Sequence, residues 1–315
     1  SRWPVRVIFS DEVGLGKTFE VAASMVYLKK YCGVKRILIL TPKSVMRQWQ
    51  EELRQHFNIN AWIFESGSKS YIDSEGQIIK ANSETPLKGR IPNIILMSVQ
   101  YARGNKTHGN IFAQEGITFP DLLVVDEAHS ARVSKGIDGK SHKTKTYTML
   151  EEVSKKIPHL IFATATPMQK DADEYHAMLK LLGLPPAWRN TRNYQTSLRL
   201  IIEDEPDPSD SYSAGVLLRE TMGTMCPSTE NLNDEERRAL VELQEFDPGD
   251  RYEFGRFVQS RWSTLQKVFI KLHPAHLLTI RNTRRSLSEV GYKFPIRNLI
   301  ERQIDDSYPI QAFYH

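Results

Sequence analysis

Five short runs of apolar residues recur in the first half of the chain, and each ends in a polar turn. They are residues 5–9 (VRVIF), 36–40 (RILIL), 94–97 (IILM), 122–125 (LLVV) and 160–163 (LIFA). Runs this short and this rich in Val, Ile and Leu predict strands buried on both faces of a parallel sheet. Two stretches between them carry helical spacing instead. Residues 18–30 place Val21, Ala22, Met25, Val26 and Leu28 on one stripe, and residues 44–57 do the same with Val45, Met46, Trp49, Leu53 and Phe57. Strands alternating with helices predict an α/β fold with a doubly wound sheet. Ligands of such sheets bind beyond the carboxyl ends of the strands, where the polar turns fall.

The rhythm changes elsewhere. Residues 66–90 are rich in Gly, Ser and Lys and weakly patterned, which predicts a surface excursion with a hairpin as one form. Residues 132–145 hold Arg132, Lys135, Lys140, Lys143 and Lys145 with two glycines, and read as a mobile basic loop. After residues 182–186 (LGLPP) the strand–helix alternation stops, and an acidic, Pro-broken linker follows at 203–208. Beyond it Asn233 can cap a helix over 234–246, and residues 254–272 read as one helical run. The expected division is therefore a lobe over 1–187 and a mainly helical segment over 188–315.

Composition narrows the function classes only a little. Lys and Arg number 42 against 38 Asp and Glu, a net charge of +4 that is too small to identify a nucleic-acid partner by itself. Two cysteines, Cys32 and Cys226, cannot build a disulfide framework or a zinc site alone, so a reducing, cytoplasmic setting is expected. No apolar run approaches the roughly 18 residues of a membrane span, and the start lacks the pattern of a secretion signal. The chain opens on Ser with a motif almost at once, as a piece of a longer protein would.

Chemistry concentrates at three strand exits. Residues 11–18 (DEVGLGKT) leave the first strand and open the first helix. Gly14 and Gly16, with Leu15 between them, let backbone amides approach a triphosphate, and the helix N-terminus adds its positive end. Lys17 would reach the β- and γ-phosphates, and the Thr18 hydroxyl would hold Mg²⁺. The strict phosphate-loop pattern has Gly six residues before the lysine, where Asp11 stands. At the second exit, Asp126 can hold Mg²⁺ and Glu127 can deprotonate the attacking water, with His129 close behind. The third exit, residues 163–167 (ATATP), offers Thr164 and Thr166 as hydrogen-bond partners for the acidic pair or for His129.

In this order, DEVGLGKT (11–18), TPKSVMRQWQEEL (41–53), LMSVQYAR (96–103), LLVVDEAH (122–129) and ATATP (163–167) resemble the first RecA-like lobe of superfamily-two helicases of the Swi/Snf type. Within that group the chain is similar to bacterial RapA/HepA-type ATPases, which also read DEVGLGKT and carry Ala within the third motif. Residues 280–285 and 293–297 resemble the segment that precedes the second lobe, so the resemblance covers 5–187 and about 277–301. It implies an ATP- and Mg²⁺-dependent motor that moves on nucleic acid, DNA more than RNA. Thr41, Pro42, Lys43, Ser44 and Ser98 would line the track, and His129, Thr164 and Thr166 would couple it to the nucleotide. Asp11 agrees with the family pattern. The upstream adenine-recognising motif and the second lobe with its arginines lie outside these residues, so the lobe alone is expected to turn over slowly. RNA polymerase or a defence-system subunit are the partners that the resemblance raises, in a prokaryotic cytosol or nucleoid.

Plainer readings stand beside these. Thr41-Pro42 can be a strand-to-helix turn, Trp49 a core anchor, the basic run a solvated loop, and Arg281, Arg284 and Arg285 a helix surface. His273 and His276 lack a third ligand, so no metal site is expected there. Three rival functions also remain: a strand-separating DEAH-type helicase or restriction or phage-defence motor, another P-loop enzyme such as a kinase, and a non-catalytic nucleotide-binding docking module. Strand displacement against triplex displacement separates the first. A kinase has no need of the ATATP exit, and nucleotide binding that survived loss of Lys17 would favour the last.

Overall fold

The computed structural model describes residues 4–12, 14–81, 85–104, 109–135, 141–165, 172–247 and 249–289. Its strands are β1 (Arg6–Phe9), β2 (Ile37–Thr41), β3 (Trp62–Glu65), β4 (Ser70–Ile72), β5 (Ile78–Lys80), β6 (Ile94–Ser98), β7 (Leu122–Asp126), β8 (Val133–Lys135), β9 (Ser141–Lys143), β10 (His159–Ala163) and β11 (Thr279–Ile280). The helices are α1 (Lys17–Tyr31), α2 (Met46–Phe57), α3 (Val99–Ala102), α4 (Lys145–Val153), α5 (Ala172–Leu181), α6 (Thr191–Leu200), α7 (Pro208–Met225), α8 (Asp234–Glu245), α9 (Arg251–Ser260), α10 (Trp262–Lys271), α11 (Pro274–Leu277) and α12 (Arg284–Glu289).

Nine strands form one sheet in the order β11-β1-β10-β7-β2-β6-β3-β4-β5. It is parallel from β11 to β3 and closes with the antiparallel pairs β3–β4 and β4–β5. All five runs read as strands lie in its parallel part. Alternation along β7 shows why such a run must be apolar throughout. Leu122 and Val124 pack under Val21, Met25, Trp49 and Leu53 of α1 and α2, while Leu123 and Val125 pack against Tyr147, Leu150 and Leu179 of α4 and α5. Each such side chain contributes about 1.5–3 kcal/mol by leaving water. The fold is thus an α/β lobe with a mostly parallel sheet covered by helices on both faces.

Residues 66–90 do form a hairpin, β4–β5, and it extends the sheet edge. The excursion is more than surface, because Tyr71 and Leu87 are buried. Residues 132–135 and 141–145 differ from the expected mobile loop. Strands β8 and β9 pair antiparallel, with Val133 opposite Lys143, and Thr144 Oγ1 accepts from Arg132 N–H and caps α4 at Tyr147 N–H. Lys143 closes an ion pair with Glu151 at 2.6 Å, while residues 136–140 lie outside the described ones. The expected single helix over 254–272 is also broken. Arg261 leaves the helical region at φ −114°, ψ 13°, so that Trp262 turns inward and its indole N–H donates to the Glu203 carbonyl at 2.8 Å.

The helices after residue 187 do not stand apart. Trp188, Leu217, Phe254 and Phe269 belong to the same buried cluster as Leu160 and Phe162 of the sheet. The chain then returns to the sheet as β11, beside β1, and this return brings residues 279–284 to the exit of the first strand.

Candidate functional site

The strand exits β1, β7 and β10 lie side by side at one sheet edge because those strands pair in register, Phe9 with Ala163 and Ala163 with Asp126. The loop after β1 turns through Gly14 at φ 84° and Gly16 at φ 85°, a left-handed backbone that strains any residue with a Cβ. Gly16 is the N-cap of α1 and supplies no side-chain acceptor, so the first-turn amides of this 15-residue helix have no capping side chain. Amides arranged like this at a helix's positive end suit an anion. Leu15 is half-buried within the same turn, and its N–H donates to the Glu12 carbonyl at 3.2 Å. Lys17 Nζ folds back and donates to the Asp11 carbonyl at 3.2 Å.

Lys17 and Thr18 line a cleft of about 520 Å³ together with Gly14, Gly16, Asp126 and Glu127, and α2 closes it with Gln48, Trp49 and Glu52. Asp126 is held from two sides. Its Oδ2 accepts the indole N–H of Trp49 at 2.8 Å and its Oδ1 accepts the Glu127 backbone N–H at 2.9 Å. Burial, with the neighbouring Glu127 carboxylate, pushes the Asp126 carboxyl above the usual range against the Trp49 bond. Glu127 sits at φ 50°, an uncommon conformation for a residue with a side chain. That turn brings its Oε2 to 3.0 Å from His129 Nδ1, and the same nitrogen lies 3.3 Å from Thr164 Oγ1. Thr164 is itself fully buried, and its backbone N–H donates to the Phe9 carbonyl. Thr166 lies outside the described residues.

An oxygen donor set of one hydroxyl and one carboxylate suits Mg²⁺, which takes one or two carboxylates and leaves its other positions to water and phosphate. Among the described residues no group of three or more His, Cys, Asp and Glu could hold a metal alone. The Thr18 hydroxyl and the Asp126 carboxylate fit a magnesium that arrives with a phosphate ligand.

The proposed track residues sit one strand further along the same edge, where Thr41 and Ser98 are register partners. Thr41 is fully buried, and its hydroxyl donates to the Pro42 carbonyl at 2.9 Å. Pro42 is half-buried, Lys43 and Ser44 are exposed in a short 3₁₀ turn, and Ser98 caps α3 by accepting from Tyr101 N–H. His273 faces inward: its Nδ1 accepts from Ala275 N–H and its Nε2 lies 3.0 Å from Ser197 Oγ.

Two features of the site are not evident from the motifs. Trp49 is the core anchor expected of it, yet its indole N–H also orients Asp126. A signal for this exists, since a buried indole needs an acceptor. The second is a pair of carboxyls behind the phosphate loop. Asp11 is fully buried, and burial beside it pushes Glu20 up to about 7. Asn282, from the loop that follows β11, donates to both carboxyls. Nothing local in the sequence links residues 271 positions apart.

The SNF2-related domain matches residues 4–234 of the chain. The RNA polymerase-associated protein RapA of Serratia proteamaculans is 32% identical over 178 residues, which are 56% of this chain and 16% of that protein. The RapA of Yersinia pestis gives the same identity and the same coverage. The chain therefore spans about a sixth of the length of these relatives. A Sulfolobus solfataricus SWI2/SNF2 ATPase core in complex with dsDNA aligns at TM-score 0.44 and 17% identity, over 91% of this chain and 42% of that one. The Pyrococcus furiosus Hef helicase domain aligns at 0.34 and 17%, over 85% and 56%. Both scores lie below 0.5, so the family assignment rests on the domain match. That match, over 4–234, covers well over half of the chain, which belongs to the SNF2-related domain family.

Proposed function

We propose that the chain is the ATP-binding lobe of an ATP-dependent translocase acting on nucleic acid, double-stranded DNA above all, and that it hydrolyses ATP with Mg²⁺. The observation that carries this reading is the single cleft shared by Gly14, Gly16, Lys17, Thr18, Asp126 and Glu127. The amides around Gly14, Leu15 and Gly16 cradle the phosphates, and Lys17 swings from the Asp11 carbonyl to the β- and γ-phosphates. Thr18 and Asp126 hold Mg²⁺, with Trp49 fixing the aspartate's rotamer. When bound, that ion neutralises charge developing on the transferred phosphoryl group. Glu127 accepts a proton from the attacking water. His129 bridges Glu127 and Thr164, so a change at the γ-phosphate reaches β10 and Thr166 beyond it.

Lys43 and Ser44 are exposed for backbone phosphate contacts, with Pro42, Thr41 and Ser98 shaping the turn beneath them. We assign residues 1–187 to the motor lobe and 188–315 to a mainly helical segment leading toward a second lobe. Without the second lobe's arginines, worth about 10³–10⁵ in rate, residues 1–315 alone turn over slowly. The names of the RapA relatives support RNA polymerase as a partner and a bacterial cytoplasm as the setting. No described helix is long and apolar enough to cross a membrane.

Glu127→Gln tests the assignment. Single-turnover hydrolysis of ATP should fall about a hundredfold or more, while ATP affinity stays within about threefold because the substitution leaves the phosphate contacts intact. Unchanged hydrolysis would overturn the role given to Glu127.

A further inference from the structure

The segment after the helices is fastened to the phosphate loop at both of the loop's ends. Asn282 makes three hydrogen bonds there. Its backbone N–H donates to Asp11 Oδ1 at 2.6 Å, its carbonyl accepts from Glu12 N–H at 3.2 Å, and its Nδ2 donates to Glu20 Oε1 at 2.9 Å. Asp11 and Glu12 precede the glycine turn and Glu20 follows it, so one residue spans the loop. Upstream, β11 continues the attachment, with Ser10 N–H donating to the Ile280 carbonyl at 2.8 Å.

Two residues on, this staple delivers a guanidinium to the loop. Arg284 N–H donates to Glu12 Oε2 at 3.3 Å, and Arg284 Nη1 lies 3.6 Å from the same oxygen. Its Nη2 comes within 3.5 Å of where a Cβ on Gly14 would stand. The Arg284 side chain is 37% exposed, which leaves it open to a ligand arriving from solvent. An arginine beside a glycine whose backbone cradles phosphate is placed to donate forked, charge-assisted hydrogen bonds to phosphate oxygens.

We propose that Arg284 is a nucleotide-binding residue of this site, a cation supplied to the bound polyphosphate from beyond the helical segment, and that Asn282 is the positioning residue that carries it there. The inference rests on the ATP-binding function proposed for the cleft and adds a group to that site. It also gives the C-terminal segment a direct sense of nucleotide occupancy, since the residue that meets the ligand belongs to that segment.

Fluorescence titrations of the chain with a labelled ATP and a labelled ADP, both with Mg²⁺, test it on Arg284→Gln, Arg284→Lys, Asn282→Ala and Glu12→Ala. Losing the guanidinium should weaken both nucleotides about tenfold. Arg284→Lys should recover only part of that, since an ammonium keeps the charge and loses the fork. Asn282→Ala, which removes only the Nδ2 bond to Glu20, should weaken binding by less than Arg284→Gln does. Glu12→Ala should leave affinity unchanged or improve it, because it removes the carboxylate that competes for the guanidinium. Wild-type affinity in Arg284→Gln would overturn the proposal. So would equal losses in Arg284→Gln and Glu12→Ala, which mark a structural ion pair. Lys17→Ala separates the two readings: full nucleotide binding by that variant would remove the ATP site itself, whereas loss there with none in Arg284→Gln would remove only the inference about Arg284.

Discussion

Trp49 shows how one side chain joins core and chemistry. Its ring is 3% exposed under α1 and β7, while its N–H holds a carboxylate that faces the cleft. Phenylalanine at 49 would keep most of the packing and remove only the donor. We expect Trp49→Phe to cost about 2 kcal/mol of stability, read by urea unfolding, because one hydrogen bond to a charged group disappears. Magnesium-dependent ATP turnover should fall about tenfold, since Asp126 is then free to rotate. Turnover equal to the wild type would show that the aspartate needs no second anchor. The partner of this indole lies 77 residues away, so helix periodicity locates the ring and cannot name the acceptor.

At the level of elements, the helical segment depends on close approach of α7 and α9. A Cβ on Gly255 would lie 2.2 Å from the Pro208 carbonyl oxygen, and one on Gly215 would meet the Phe254 ring at 2.7 Å. Neither glycine has a positive φ, so the constraint is space alone. Gly255→Ala must push a backbone aside and should cost on the order of 3 kcal/mol, seen as a lowered melting temperature. Gly223, with nothing within 4 Å, is the control: Gly223→Ala should hold or raise stability. Equal effects at both positions would contradict the packing described. The sequence marks these glycines only as poor helix formers inside a helical pattern. It likewise conceals the break at Arg261, because apolar spacing from Phe254 to Leu272 reads through a joint that keeps both helices facing one core.

Across the whole molecule, legibility follows the range of the interactions. The five buried strands and the glycine turns are local properties, apolar runs and φ > 0 positions, and they can be read directly. Strand β3, the β8–β9 hairpin and the return of β11 cannot, because short strands acquire their partners only from the sheet. Two buried histidines, His176 where α5 of the lobe meets Trp188 and His273 within the helical segment, give the fold a pH dependence. His176 lies 2.7 Å from the Trp188 carbonyl, and burial depresses it to about 4. Lys180 reinforces this against Asp173. Burial does the same to His273, also to about 4, with the His276 charge adding to it. Both pKa values are lower in the fold than in the unfolded chain, so the unfolded chain binds more protons between pH 6.5 and about 4. The contribution of each histidine is full above 6.5 and is lost as pH falls through that window, by on the order of 3 kcal/mol, whereas the raised Glu20 carboxyl acts with the opposite sign over the same range. Thermal melts from about pH 7.5 to about pH 4.5 should show the decline, and His273→Gln should flatten it. A pH dependence identical in His273→Gln and the wild type would contradict the buried, neutral assignment of His273.

Convergence of two distant loops on one bound triphosphate is tested most directly by hydrogen exchange with and without Mg·ATP. Slowed exchange should appear together at residues 14–18 and 126–129 in the wild type and at neither in Lys17→Ala. Nucleotide binding that protects other parts of the chain and leaves these two stretches unchanged would contradict that convergence.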